Sequence, residues 1–335
     1  MNNLPIIGIT MGEASGIGPE VLVKMLNDIS GKNVCRPLAI GDARVLELAC
    51  RKFDVPLKFR AIGHPKEADW GSEEINLIDL QDVPLEKLEA GKHNAVTGRA
   101  MLNYTDKLIE FYKEESIHGG VGGPHSKKAA DLAGYNFLGY PYYIADMIGE
   151  PDPFMMLVAN KTRVVNTTLH VSLRKALDMI TKDLVFKAIK AGAEAMALFG
   201  VDKPHIAVSG LNPHSGEEGM FGTEEEEHII PAIEAARELG LNIDGPVPAD
   251  SLFYQCTTNP RYDAYVAMYH DQGHIPVKVD SFMDASAVAI GIPYIFATVD
   301  HGCAPDIAWQ GKANHGVLRT TVELISQMAK NKYNL

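Results

Sequence analysis

The sequence predicts an α/β protein built as two α/β/α lobes. Short apolar runs of strand length alternate with helical patterns along most of the chain, the layout of a parallel or mostly parallel sheet between helix layers. At 335 residues the chain exceeds the size at which one core keeps growing, so two lobes are expected. Several apolar runs end in glycine, histidine and acidic residues, and in open α/β sheets ligands sit beyond the carboxyl ends of strands.

Composition narrows the class of function. A hydrophobic content of 46% with 22% charged residues is ordinary for a soluble enzyme. A net charge of -12 and a pI near 5.5 exclude a general nucleic-acid surface, so a small molecule is the expected partner. Cys35, Cys50, Cys256 and Cys303 lie far apart with no Cys-x-x-Cys pair, which argues against a disulfide framework or a thiolate zinc knuckle and reads as core. The first residues lack a basic region followed by an apolar stretch, and no run reaches about 18 apolar residues. A cytoplasmic protein with no membrane partner is expected.

Residues 5–10 form an apolar β-type run, followed by Met11-Gly12-Glu13-Ala14-Ser15-Gly16-Ile17-Gly18-Pro19-Glu20 and a helical pattern. Strand, glycine-rich turn and helix offer backbone N–H groups to an anion, but the spacing fits neither a Rossmann fingerprint nor a Walker loop. Strands follow near 37–41, 57–61 and 75–78, with a helix over 43–53 and a long amphipathic one over 95–115. The run Gly119-Gly120-Val121-Gly122-Gly123-Pro124 needs a backbone approach that side chains would block, and it delivers His125 and Lys127. Further strands read at 154–159, 163–168, 206–210, 264–268, 286–291 and 295–299. A helix over 223–240 has Thr223 as N-cap and Glu226 three residues on, and a last helix covers 317–329. The strand at 264–268 runs into His270, Asp271, Gln272, His274 and Lys278, where Gly273 and Pro276 are expected to fix a turn.

His170, His214 and His270 each stand just past the carboxyl end of a separate strand. Three imidazoles so delivered can converge on one sheet edge and hold a divalent ion with open positions; alternatively they cap strands and bond neighbouring backbone.

Together Gly12-Glu13 with Gly16-Ile17-Gly18-Pro19-Glu20, Gly210-Leu211-Asn212-Pro213-His214, Gly222-Thr223-Glu224, Pro248-Ala249-Asp250, Tyr269-His270-Asp271-Gln272-Gly273 and Val299-Asp300-His301-Gly302 resemble the 4-hydroxythreonine-4-phosphate dehydrogenase family. The resemblance implies a homodimer whose two-lobed subunits share the fold of isocitrate and isopropylmalate dehydrogenases, with the active site in the inter-lobe cleft at the dimer interface. It implies lobes of 1–125 plus 300–335 and of 126–299, the second carrying the metal histidines and dimer contacts. Its metal ligands match His170, His214 and His270, the last from the partner subunit, with zinc the expected ion and magnesium or cobalt as alternatives. NAD or NADP is implied as cofactor, at Gly12, Glu13, Gly273, Asp300 and His301. The family oxidises a secondary alcohol to a β-keto acid that loses carbon dioxide. Lys278, Asp250 and Asp271 match its catalytic lysine and the carboxylates near the metal.

The departures bear on substrate. Gly139-Tyr140-Pro141-Tyr142 stands where the family has Gly-His-Thr-Glu, and Ala287 and Phe296 replace an asparagine and an arginine. Losing a bidentate guanidinium should weaken phosphoester binding by several kcal/mol. These positions are similar to a divergent branch containing the terephthalate cis-dihydrodiol dehydrogenases, which implies a carboxylated diol substrate met by Tyr140, Pro141, His125, Lys278, Ala287 and Phe296. The alternatives are 4-phosphooxy-threonine or a phosphorylated tetronate, and, in another class, a non-catalytic paralogue that binds a carboxylated ligand.

Overall fold

The computed structural model describes residues 4–149, 153–281 and 284–335. The chain divides into two units, Met1–Ile148 with Tyr294–Leu335, and Gly149–Pro293. In order, the first unit contains β1 (Ile6–Thr10), α1 (Gly18–Ile29), β2 (Arg36–Gly41), α2 (Ala43–Phe53), β3 (Phe59–Ile62), β4 (Ile75–Asp79), α3 (Ala95–Lys113), β5 (Gly119–Gly122), α4 (Lys127–Leu132) and α5 (Tyr140–Ile148). The second contains β6 (Phe154–Ala159), β7 (Thr162–Asn166), α6 (Leu173–Met179), α7 (Lys182–Leu198), β8 (His205–Ser209), α8 (Ile230–Glu238), β9 (Asn242–Val247), α9 (Ala249–Thr258), β10 (Ala264–Ala267), α10 (His270–Asp280) and β11 (Ser286–Ile290). The chain re-enters the first unit with β12 (Phe296–Val299) and α11 (Gly316–Tyr333).

Strands of the first unit run in the order β3-β4-β2-β1-β5-β12, all parallel. Successive strand residues point to opposite faces. A Cβ at Gly119 would sit 2.8 Å from Ile325 of α11, and one at Gly120 2.6 Å from Leu108 of α3. Those two helices therefore cover opposite faces of β5, and the glycine run is the consequence of their close approach. The sequence reading ended this unit at 125 and resumed it at 300. It extends to Ile148 and resumes at Tyr294, because α4 closes on α3, where a Cβ at Gly98 would meet the Ala129 carbonyl, and β12 pairs with β5.

The second unit has the order β11-β6-β7-β10-β8-β9. β7, β10, β8 and β9 are parallel, and β6 is antiparallel to both its neighbours. Two local expectations are corrected here. The stretch after β10 is a helix, not a turn: Tyr269 is the N-cap, and Pro276 sits inside α10. Gly273 serves packing, since a Cβ there would lie 2.5 Å from Asn166 Oδ1. The helix expected over 223–240 opens as a π-helical turn, Glu225–Ile229, before α8. Thr223 donates its hydroxyl to Glu227 Oε1 at 2.6 Å instead of capping with Glu226. Among the described residues no helix is long and apolar enough to cross a membrane.

Candidate active site

β7, β10 and β8 are adjacent and parallel, and His170, His270 and His214 follow their carboxyl ends in that order. Strand spacing alone thus brings the three histidines to one edge of the unit. The His170 and His270 rings lie 5.7 Å apart, centroid to centroid, within one chain. Together with Val171, Leu173, Tyr269 and Asp271 these two histidines line a pocket of about 270 Å³. A larger pocket of about 910 Å³, beside Arg36, Trp70 and Asn76, contains none of the expected site residues.

Carboxylates orient two of the imidazoles. His270 Nδ1 is 2.6 Å from Asp271 Oδ1, and His214 Nδ1 is 3.0 Å from Glu217 Oε2. Engaging Nδ1 in this way fixes the tautomer and leaves Nε2 as the lone-pair donor, the arrangement found behind metal-bound histidines. His274 stacks on His270 at 3.6 Å, with its Nδ1 2.9 Å from the His270 carbonyl. Imidazoles backed by carboxylates are the donor types a divalent ion such as zinc takes, but within one chain only His170 and His270 stand close, and among the described residues the three histidines do not form a set of donor atoms all within 4.8 Å of one another.

Side-chain hydrogen bonds tie the strand ends together. Gln272 donates from Nε2 to the Gly210 carbonyl at 2.8 Å and accepts the Met268 N–H at 2.6 Å, joining the ends of β8 and β10. Thr168 donates to the Met268 carbonyl at 2.9 Å, joining β7 to β10. Glu225, 2% exposed, accepts the N–H groups of Leu211 and Asn212 at 2.7 Å each and the Asn212 side-chain amide at 2.8 Å. That pins the loop in which His214 and Ser215 adopt left-handed backbone, φ 53° and 56°. In the sequence Glu225 is one of four consecutive glutamates, Glu224 to Glu227, at the start of a helical pattern where the macrodipole favours acidic residues, with nothing to set it apart. Asn166, Thr167 and Ser215 carry buried side-chain polar atoms without a hydrogen-bond partner in the protein. Orphaned polar atoms clustered at strand ends are what a ligand or water satisfies.

Of the other expected catalytic residues, Lys278 is half-buried on α10 and Asp250 is exposed at the start of α9, accepting the Ser251 N–H at 2.6 Å. Neither lines the pocket at His170 and His270.

The first unit holds most of the expected substrate and cofactor positions. Tyr140 and Phe296 are 0% and 2% exposed and meet edge to face at 5.6 Å. The Tyr140 hydroxyl donates to the Gly123 carbonyl at 3.1 Å, and its ring also meets His125 at 4.9 Å. Tyr140, Pro141 and Phe296 thus fill volume; Ala287, 3% exposed, is buried in β11 of the second unit. Gly12 has φ 73°, and a Cβ there would lie 2.4 Å from the Pro124 carbonyl. Glu13 is fully buried and accepts the Ser15 N–H at 3.1 Å, so its carboxylate is turned inward. Asp300 and His301 follow β12, His301 Nδ1 lying 2.9 Å from the Gly302 carbonyl. Sequence reasoning missed His93; Cys303 is buried as expected, and both stand beside Glu13.

Comparison with known proteins gives the same family as the motifs. The model of the pyridoxal phosphate biosynthetic protein PdxA matches residues 33–325. A D-threonate 4-phosphate dehydrogenase of Cupriavidus necator is 45% identical over 98% of this chain and 97% of its own. A solved 4-hydroxythreonine-4-phosphate dehydrogenase of Klebsiella pneumoniae superposes with a TM-score of 0.89 at 35% identity, covering 98% of this chain and 99% of its own. A terephthalate 1,2-cis-dihydrodiol dehydrogenase of Burkholderia xenovorans gives 0.69 at 31% identity, covering 96% and 98%. A β-decarboxylating dehydrogenase of Thermococcus kodakarensis, with a TM-score of 0.51 at 15% identity over 95% of this chain and 82% of its own, shares the fold. On the family match and these identities, the chain belongs to the PdxA family.

Proposed function

We propose that this protein is a divalent-cation-dependent NAD(P) dehydrogenase that oxidises the secondary alcohol of a phosphorylated four-carbon hydroxy acid, of the threonate or 4-hydroxythreonine class, with loss of the carboxyl group as carbon dioxide. The observation that carries this reading is the histidine pair at the ends of β7 and β10, its His270 Nδ1 held by Asp271. The 45% identity to a D-threonate 4-phosphate dehydrogenase favours the phosphorylated acid over the diol expected from the sequence.

His170, His214 and His270 would hold the cation, with Asp271 and Glu217 as positioning carboxylates behind His270 and His214. A bound cation supplies Lewis acidity toward the alcohol oxygen, and NAD(P)+ supplies the hydride acceptor. Lys278 offers a positive charge to an anionic group of the substrate or moves a proton at its Nζ. Gly12, Asp300 and His301 of the first unit stand as the cofactor contacts. Leu173, Met220, Phe221, Tyr254, Ile275 and Val279 of the second unit are large, apolar and exposed, which supports a homodimer formed through that unit.

A second reading keeps the chemistry and changes the substrate to a carboxylated cyclohexadiene cis-diol. The packing of Tyr140 against Phe296 favours it, since apolar rings fill positions where the family carries phosphate-binding polar groups. Dinucleotide reduction on 4-phospho-D-threonate, 4-phosphooxy-L-threonine and the carboxylated diol separates the two. Turnover of a phosphorylated acid is expected. Turnover of the diol alone would replace the first reading by the second, and turnover of none would remove both.

A further inference from the structure

Glu13, His93 and Cys303 form a second cluster of donor side chains, entirely within the first unit. They come from the turn after β1, the segment before α3 and the loop after β12. One ligand atom from each lies within 4.8 Å of the other two. Cys303 Sγ is 3.7 Å from His93 Nε2, and His93 Nδ1 is 3.4 Å from Glu13 Oε2. Tetrahedral zinc with a sulfur ligand at about 2.3 Å and nitrogen or oxygen ligands at about 2.0–2.2 Å separates its ligands by roughly 3.5 Å. Those two contacts use opposite nitrogens of the His93 ring, of which one cation takes one, so the spacing that bears on a shared ion is the 4.8 Å within which one donor atom from each residue lies, and binding would draw the three closer.

The burial of the cluster points to a further ligand. Glu13 is 0% exposed, and its Oε2 and His93 Nδ1 face each other at 3.4 Å as an ion pair that does not close a hydrogen bond. A buried carboxylate held by one such long contact is under-compensated. The backbone around the cluster is also built in advance. Ile17 N–H donates to the Cys303 carbonyl at 2.9 Å, and Gly91 N–H to the Ser15 carbonyl at 2.8 Å. A Cβ at Gly16 would lie 2.5 Å from Cys303 Cβ, so the glycine lets the two loops touch.

We propose that Glu13, His93 and Cys303 bind a borderline-soft divalent cation of the zinc class, separate from the histidine site of the second unit. Cysteine, histidine and glutamate together select such an ion over magnesium or calcium. One carboxylate and one thiolate cancel a 2+ charge, so the occupied site is neutral, as a buried site requires. On binding, Cys303 loses its S–H proton to solvent and a sulfur–metal bond forms. Glu13 and His93 each donate a lone pair, and nothing is oxidised or reduced. Burial, with the Glu13 carboxylate adding to it, pushes the Cys303 thiol up to about 11. The cation would join the β1 turn, the start of α3 and the β12 loop.

Cobalt(II) tests this on the whole chain after chelator treatment. Among the described residues no other cysteine shares a cluster of three such donors, so a thiolate-to-cobalt charge-transfer band in the near ultraviolet reports Cys303 alone. One equivalent per chain should give that band in the unsubstituted protein and in His170→Ala. The band should vanish in Cys303→Ser, and His93→Gln should weaken cobalt binding at least tenfold. No band in the unsubstituted protein, or an undiminished band in Cys303→Ser, would overturn the proposal. Because the readout is spectroscopic, it can fail while dinucleotide reduction persists, or hold while that activity is absent.

Discussion

The strand ends of the two units use one topological device in opposite ways. In the second unit the polar groups beyond β7, β10 and β8 are open: the His214 side chain is 66% exposed and that of Asp271 71%. In the first unit Glu13 beyond β1 is buried, as are Tyr140 and Phe296 packed beside the strands, while Asp300 and His301 beyond β12 are half-buried. An open edge of oriented imidazoles suits a ligand that exchanges during turnover. A closed one, filled by aromatic rings or by a carboxylate turned inward, sets shape and stability. Parallel sheets place functional groups at strand ends, and solvent access decides which task each end takes.

The contrast can be strained from the closed side first. Phe296→Ala should cost about 3–5 kcal/mol by the cavity it leaves against Tyr140, measured by denaturant unfolding. A loss under 1 kcal/mol would mean the ring lines an open surface after all. On the open side Asp271→Asn should leave the fold intact and cut divalent-ion affinity or turnover about 10–100-fold, since it releases His270 Nδ1. Equal loss in Asp250→Asn would show that the carboxylate acts by charge and not by its hydrogen bond. Gln272→Ala strands the Met268 N–H and the Gly210 carbonyl and should cost about 1–3 kcal/mol.

The smallest effect concerns pH. His118, half-buried, accepts the Ile6 N–H on its Nδ1 at 2.9 Å, and burial lowers its pKa from the ordinary 6.5. The neutral ring is the folded form, so its contribution is present above pH 6.5 and lost as pH falls through the lowered value. Stability of the unsubstituted protein should therefore drop more steeply below that pH than stability of His118→Gln. Parallel pH profiles for the two proteins would remove His118 from the account.

Much of this architecture was legible in the residues. The strand at 154–159 appears as Phe154–Ala159, the helix at 43–53 as Ala43–Phe53, and the glycine run at 119–123 proved to be a close approach of helices to the sheet. The histidines were legible because each follows an apolar strand, and strand order placed those strands side by side. Helix α10 was not, because Gly273 and Pro276 read locally as breakers, while the tertiary demand, space for Asn166, came from a strand over a hundred residues earlier. The cluster at Glu13 was hidden for a similar reason. His93 and Cys303 are 210 residues apart, so no spacing signature joins them. Glu225 looked like one helix-start glutamate among several, and only its three accepted N–H groups set it apart.

The measurement that bears most directly on the function proposed is dinucleotide reduction on 4-phospho-D-threonate by chelator-treated protein, before and after zinc, beside His170→Ala and His270→Ala. The account predicts activity restored by zinc in the unsubstituted protein and lowered roughly a thousandfold in both variants, the several kcal/mol a Lewis acid supplies. Full activity in the chelator-treated protein, or in either variant, would contradict it.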